Sequence, residues 1–378
     1  MRSRELHLSR TQAVLYASLM RLESRLPAKV WGWFYGPISR CKREESLFER
    51  CQARSQELAW PATYLIDSDL GKRTQDITFY GAQTNFEPDV IKITDAVVFS
   101  DGIIIQGRHI HPASSCYFRI SPHIRFRAAA RRFSSGSAVK VPKATLVSRQ
   151  LVDQGTYGDY FIEFLLPLCR MIDAVKGPVI ADAALIAKYC VFDLESLGLH
   201  SIREIPDSGL LVKELTVIGP CQPFDNFHAI NLAAVRKVFP IESSDATTKH
   251  DKIYISRLGF IEPTSIKQSR ILENEAEVEE FLASKGFLIL RPDGKNNRQL
   301  RTQLSSADMI VFNHGSGYLN AIWGKPRFVV ELADEKWWNP AFLRLGRGMG
   351  VKKYHVICTK NNMISLPELE RVLHRITE

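Results

Sequence analysis

The chain has 378 residues, 45% hydrophobic and 24% charged, with a net charge of +9 at pH 7. That is an ordinary globular composition, long enough for two domains. No apolar run approaches the roughly 18–20 residues that span a bilayer, and the first residues, Met1 to Glu5, show no apolar core of a secretory signal. The seven cysteines (Cys41, Cys51, Cys116, Cys169, Cys190, Cys221, Cys358) are scattered and form no Cys-x-x-Cys pair. They read as reduced thiols of a cytoplasmic protein, with no zinc site and no disulfide frame.

Residues 1–60 form a basic, partly helical segment. Leu8, Val14, Leu15, Leu19, Leu22 and Leu26 recur at helical spacings with arginines between them. Such an amphipathic helix suits either an anionic membrane surface or the protein's own core. Residues 60–120 read as short strands, and Asp101-Gly102 between two β-branched runs marks a hairpin over residues 95–105. Residues 121–143 hold Arg125, Arg127, Arg131, Arg132, Lys140 and Lys143 with no acid. With its Ala and Ser/Gly runs this segment reads as a basic loop. It is either solvated surface or a patch for an anionic partner: lipid headgroups, a charged glycan or nucleic acid.

A helix is expected over residues 160–175 and short buried strands at 179–180 and 215–219. The small polar residues 241–251 read as a linker. Beyond it the pattern becomes regular: strand 252–256, helix 274–285 closed by Gly286, strand 287–290, helix 298–307, strand 308–312, short helix 319–323 and strand 327–332. Alternation of this kind predicts a parallel, doubly wound sheet whose ligand lies beyond the carboxyl ends of the strands. Those ends carry Arg257, the turn His314-Gly315-Ser316-Gly317, and Glu331. A strand that ends in small residues and opens a helix is an anion site, because backbone N–H groups and the helix dipole face the ligand. Arg257 suits a phosphate, the turn a second phosphate, and Glu331 ribose hydroxyls. Neither a Walker A motif nor a GxGxxG is present, which argues against a nucleoside triphosphatase and a nicotinamide enzyme.

These residues resemble the signature of the family 61 glycosyltransferases. Ile255-Ser256-Arg257, Arg270, Asn274-Glu275, Gly286-Phe287, His314-Gly315-Ser316-Gly317, Asn320 and Glu331 look like the family's "ISR…R…NE…GF…HGAGLTN…E". Residues 156–167 are similar to a second element, "NYGHFLxEFLP". The resemblance covers about residues 150–335. Asp159 stands at the family His, Thr156 at the family Asn, Ser316 at the alanine of HGAG, and Tyr318-Leu319 at the LT. The resemblance implies an α/β, GT-B-like fold of two Rossmann-like domains with parallel sheets facing across a cleft. On that basis residues 61–245 form an acceptor-side domain, residues 246–365 the nucleotide-sugar domain, and residues 366–378 a C-terminal helix. It further implies an inverting transfer without an essential metal or other cofactor, and bacterial members are associated with capsule and lipopolysaccharide assembly. The implied partners are a nucleotide-sugar donor and a glycan or lipid-linked glycan acceptor, with peripheral contact to an anionic membrane and no nucleic acid.

An inverting transferase needs a base for the acceptor hydroxyl and positive charge for the leaving diphosphate. Asp159 and Glu163 lie four apart on one face of the expected helix, close enough that one is suited to hold a proton. Glu163 is preferred as base, since the matching family position is also acidic; alternatively, both acids simply favour a first helical turn. Arg257, Arg270, His314, Gly315, Ser316, Gly317, Asn320 and Glu331 form the expected donor site. Each has a plainer reading: an ion pair for Arg257 and Glu331, a turn-fixing bond for His314. Asn274 is expected to cap its helix. Trp337 and Trp338 either wall the donor site or anchor a loop. A serine hydrolase would need a GxSxG elbow, which is absent. A nucleic-acid binder would need a recognition motif beside its charge. A non-catalytic relative that binds a sugar nucleotide or glycan stays open.

Overall fold

The computed structural model describes residues 56–58, 65–66, 83–85, 88–100, 102–107, 109–111, 113–114, 138–147, 157–181, 186, 202–206, 208–219, 221, 227–240, 250–259, 271–292, 297–336, 338–359 and 361–378. Residues 1–55 of the basic N-terminal segment and Arg125 to Arg132 of the basic loop lie outside them, and the end of that segment holds a strand, Gln56–Leu58. In the first part of the chain the strands are β1 (Gln56–Leu58), β2 (Leu65–Ile66), β3 (Gln83–Asn85), β4 (Val90–Val98), β5 (Ile104–Gln106), β6 (His109–Ile110), β7 (Val139–Val147), β8 (Val179–Ala181), β9 (Ile202–Glu204) and β10 (Leu210–Ile218). From residue 252 on come β11 (Lys252–Ile255), β12 (Leu288–Leu290), β13 (Met309–Asn313), β14 (Phe328–Asp334) and β15 (Lys353–Thr359). The helices are α1 (Tyr157–Tyr160), α2 (Leu166–Arg170), α3 (Ala229–Val238), α4 (Glu275–Ser284), α5 (Asn297–Ser305), α6 (Ala341–Met349) and α7 (Leu366–Thr377), with a 3-10 helix at Ser316–Trp323.

The first large sheet runs β6-β5-β4-β10-β7-β8-β9. It corrects the expected parallel sheet: β10, β7, β8 and β9 are parallel neighbours, but β4, β5 and β6 are joined antiparallel. The cause is local. The expected hairpin forms, with Phe99 N–H donating to Ile103 O at 3.0 Å and Gly102 at φ 78°, and a tight hairpin can only pair antiparallel strands. The basic loop ends earlier than the charge pattern suggests. Lys140 and Lys143 belong to β7, and Lys143 pairs across the ladder with Glu214 at 3.0 Å on the exposed face.

The helix expected over 160–175 is broken into α1, a π turn at Phe161–Leu165, α2 and a 3-10 turn at Ile172–Ala174. Pro167 has no N–H to give the Glu163 carbonyl and crowds it. The helix widens just before, with Leu166 N–H bonded to Phe161 O.

The second sheet is parallel throughout, in the order β12-β11-β13-β14-β15-β2. β2 precedes the first large sheet in the chain yet completes this one. Both faces are covered, so its strands read as unbroken apolar runs. Tyr254, Val311, Val330 and Ile357 pack with Val278 and Leu282 of α4 and Leu369 and Val372 of α7. Ile253, Ile310, Val329 and Val356 face the other way, into a cluster that also holds Tyr160, Phe161, Phe164, Leu168, Tyr318 and Ile322. The helical run that carries Glu163 thus shares one apolar cluster with this face of the parallel sheet. Gly286, at φ +83°, closes α4 as expected: its N–H bonds Ala283 O and the Phe287 N–H bonds Leu282 O, both at 3.0 Å.

Candidate active site

The second sheet changes direction of winding between β11 and β13. From β11 the chain moves to β12 on one side, then to β13 on the other. A crevice opens beyond the carboxyl ends of the two strands at such a point, and ligands of doubly wound sheets bind there. Ser256 and Arg257 leave β11 at this place, and His314 to Gly317 leave β13.

One buried carboxylate holds the two strand ends together. Glu275, the first residue of α4, is 2% exposed. Its Oε1 accepts from the Tyr254 hydroxyl (2.7 Å), the Ser256 hydroxyl (2.8 Å) and the Arg257 N–H (3.0 Å). Its Oε2 accepts from Asn313 Nδ2 at 2.8 Å. Burial, then the Glu275 charge, pushes the Tyr254 hydroxyl well above its usual range, so it remains a donor. Asn274 does not cap the helix as expected. Its side chain exchanges two hydrogen bonds with the Ile364 backbone, at 2.9 and 3.0 Å.

Arg257 lies across the turn that follows β13. Its Nη1 donates to His314 O at 3.1 Å. A Cβ at Gly315 would sit 1.9 Å from the same Nη1, so a side chain there would displace the guanidinium. The 3-10 helix begins at Ser316, earlier than the expected 319, and Asn320 Nδ2 donates back to Gly317 O at 3.0 Å. The helix therefore begins beside the Arg257 guanidinium, a combination suited to an anion.

His314 is held from behind. Its Nδ1 lies 2.5 Å from Glu331 Oε1, and the Tyr354 hydroxyl donates to Glu331 Oε2 at 2.7 Å. Asn339 Nδ2 lies 3.4 Å from His314 Nε2, and the Phe342 ring packs against the imidazole at 4.9 Å between centroids. Glu331 therefore does not stand at a strand end, as the pattern suggests. It lies mid-strand in β14 with no exposed surface, both oxygens engaged.

Residues 157–330 match the family described as Glycosyltransferase 61. This stretch is a glycosyltransferase family 61 domain. No curated protein matches the chain. The family 61 domain begins at the helical run and ends within β14, so it takes in Glu163, the Glu275 node and the crevice.

Within the family 61 domain, Asp159 lies in α1 and Glu163 in the π turn, where Glu163 is 5% exposed among Phe161, Ile162 and Phe164. α1 packs against the Ser316–Trp323 helix. Arg270 and Trp337 lie outside the described residues. Trp338 is buried in the apolar cluster and anchors its loop. Tyr354 escapes the sequence reading, since it stands at no end of an expected element, and Asn339 enters it only as part of the Trp337 to Pro340 stretch. Glu275 is visible in the sequence as part of the Asn274-Glu275 signature element at a helix start, but its role as the carboxylate that joins two strand ends is not. The end of β12 carries Arg291, paired with Glu279; burial raises the Glu279 carboxyl, but the hydrogen bonds from Arg291 and Ser256 and the Arg291 charge together lower it below its ordinary value. Among the described residues no group of three or more His, Cys, Asp or Glu side chains gathers as metal ligands. Among them too, no helix is long and apolar enough to cross a membrane.

Proposed function

We propose that this chain is an inverting, metal-independent glycosyltransferase of GT-B type that moves a sugar from a nucleotide-sugar donor to a glycan acceptor in surface polysaccharide assembly. The observation that carries the donor reading is Arg257 lying over Gly315 at the switch point of the parallel sheet. A guanidinium and the opening N–H groups of a helix meet there, as a diphosphate requires. In the reaction the acceptor oxygen attacks the anomeric carbon and the bond from that carbon to the diphosphate oxygen breaks. The acceptor proton passes to Glu163, with Asp159 beside it on the helix. The nucleoside diphosphate leaves with the electron pair, and Arg257 with the turn meets its growing charge. Arg270, Ser316, Gly317 and Asn320 complete the donor site. The family 61 domain, and the packing on the Ser316–Trp323 helix of α1, which directly precedes the Glu163 turn, support this assignment.

A thermal-shift panel of UDP, GDP, CMP and TDP sugars tests it. A rise in melting temperature with one nucleotide, lost in Arg257→Ala, is expected; no rise with any of them overturns the reading. Turnover should vanish in Glu163→Gln and persist in Asp159→Asn. Binding without turnover by the native chain would favour a non-catalytic relative, the reading that Asp159 in place of the family His suggests.

A further inference from the structure

The hydrogen bonds around His314 fix where its proton sits. Asn339 Oδ1 accepts the Ala341 N–H at 3.1 Å, and a backbone N–H can only donate. That orients the amide, so it is Nδ2 that faces His314 Nε2 at 3.4 Å. An amide NH2 donates and does not accept, so Nε2 carries the lone pair. The ring proton is on Nδ1, donated to Glu331 Oε1 at 2.5 Å. Tyr354 donates to the other oxygen, which completes an acceptor-only carboxylate. Glu331, Tyr354 and His314 are all buried, while Asn339, at the start of the loop into α6, is exposed.

We propose that Glu331 and Tyr354 are positioning residues that present His314 Nε2 to the crevice as an acceptor for a hydroxyl of the donor, which displaces the Asn339 amide. A lone pair at Nε2 repels phosphate oxygens, which are acceptors themselves. The group recognised is therefore a ribose or sugar hydroxyl, and the diphosphate is left to Arg257 and the turn. The tautomer stands on the geometry alone; the source of the hydroxyl rests on the nucleotide-sugar reading.

The test begins with selective 15N-histidine labelling, His314 being assigned by the signal lost in His314→Gln. A protonated Nδ1 and an unprotonated Nε2 are expected, and a protonated Nε2 overturns the proposal. The nucleotide sugar that binds in the UDP, GDP, CMP and TDP panel should then shift the Nε2 resonance. An Nε2 signal unmoved by a bound nucleotide sugar overturns this proposal alone. If none binds while the Nδ1–H tautomer holds, the donor reading falls and the hydroxyl assignment with it. His314→Asn places an amide near Nδ1, keeps the bond to Glu331 and deletes Nε2. It should weaken nucleotide-sugar binding about tenfold, the worth of one hydrogen bond, and leave pyrophosphate binding unchanged. An equal loss for pyrophosphate would make His314 a phosphate ligand and overturn the assignment.

Discussion

The Arg257 guanidinium occupies the space that a side chain at Gly315 would need: a Cβ there would lie 1.9 Å from Nη1. The backbone at Gly315, with φ 163°, is extended and open to any residue, so a side chain there meets only the Arg257 guanidinium. Gly315→Ala should push Arg257 off the turn and break its bond to His314 O while the loop keeps its path. Stability should fall by about 1 kcal/mol, an ordinary cost for a point substitution. Nucleotide-dependent stabilisation should disappear as in Arg257→Ala. Thermal-shift titration checks both; a Gly315→Ala protein that binds nucleotide normally would separate Arg257 from the donor site.

Glu275 carries four hydrogen bonds from four different residues, among them Tyr254 on β11 and Asn313 on β13. Glu275→Gln turns one acceptor into a donor, and each oxygen it replaces faces N–H or O–H donors. The unmade bond should cost about 2 kcal/mol in urea unfolding. Glu275→Ala strands all four donors and should cost more. Both strand ends should loosen together, so loss of nucleotide binding should accompany the loss of stability. Unchanged stability in Glu275→Ala would mean that the node does not hold the crevice.

Much of this arrangement is legible in the amino-acid sequence, and the exceptions have physical causes. The strands and helices from residue 252 to 332 follow the hydrophobic pattern because a parallel sheet covered on both faces makes each strand a short apolar run. Arg257 and the His314–Gly317 turn reach one crevice because strand ends converge wherever winding reverses. Glu331 is misread by pattern because a carboxylate after Val329 and Val330 looks like the end of a strand; His314 and Tyr354 are what allow it to sit inside one. α6 is amphipathic in its spacing but carries Gly346 and Gly348, which are poor helix formers. Tertiary packing requires them: a Cβ on Gly346 would lie 2.7 Å from the Tyr354 ring, and one on Gly348 would lie 2.5 Å from Phe227 O. The π turn leaves no mark in the apolar spacing of 160–175; its cause is Pro167, which perturbs the helical turn before it.

His228 gives the fold a dependence on pH. Its Nδ1 accepts the Ile230 N–H at 3.2 Å and so caps α3, which requires a neutral ring. Burial, followed by the nearby Arg170 and Arg347 charges, lowers its pKa. The unfolded chain therefore binds this proton more readily than the folded one, and stability falls as pH drops below the ordinary histidine value of about 6.5. The melting temperature should decline between pH 7.5 and 5.5. His228→Asn keeps a capping acceptor without titrating, so its decline should be shallower. An identical pH profile in the variant would place the dependence elsewhere.

Arg236 ties the first unit to the far end of the helix that opens at the crevice. From α3 its Nε donates to Ile322 O at 2.6 Å and its Nη2 to Gly324 O at 2.9 Å. These carbonyls lie at the C-terminal end of the Ser316–Trp323 helix, where a cation also meets the negative end of the helix dipole. Burial lowers the Arg236 pKa, yet an arginine stays protonated at any pH the protein meets. Arg236→Ala removes both donors and the alkyl stem, and unfolding free energy should fall by about 2 kcal/mol. Arg236→Lys keeps the charge and most of the stem but cannot span both carbonyls with one planar group, so it should recover only part of that loss. Urea denaturation of the two variants separates the contributions. Equal stability of the alanine and lysine proteins would mean that neither the charge nor the stem matters. Full recovery in lysine would mean that charge at the helix end, rather than the forked geometry, fastens α3 to the turn.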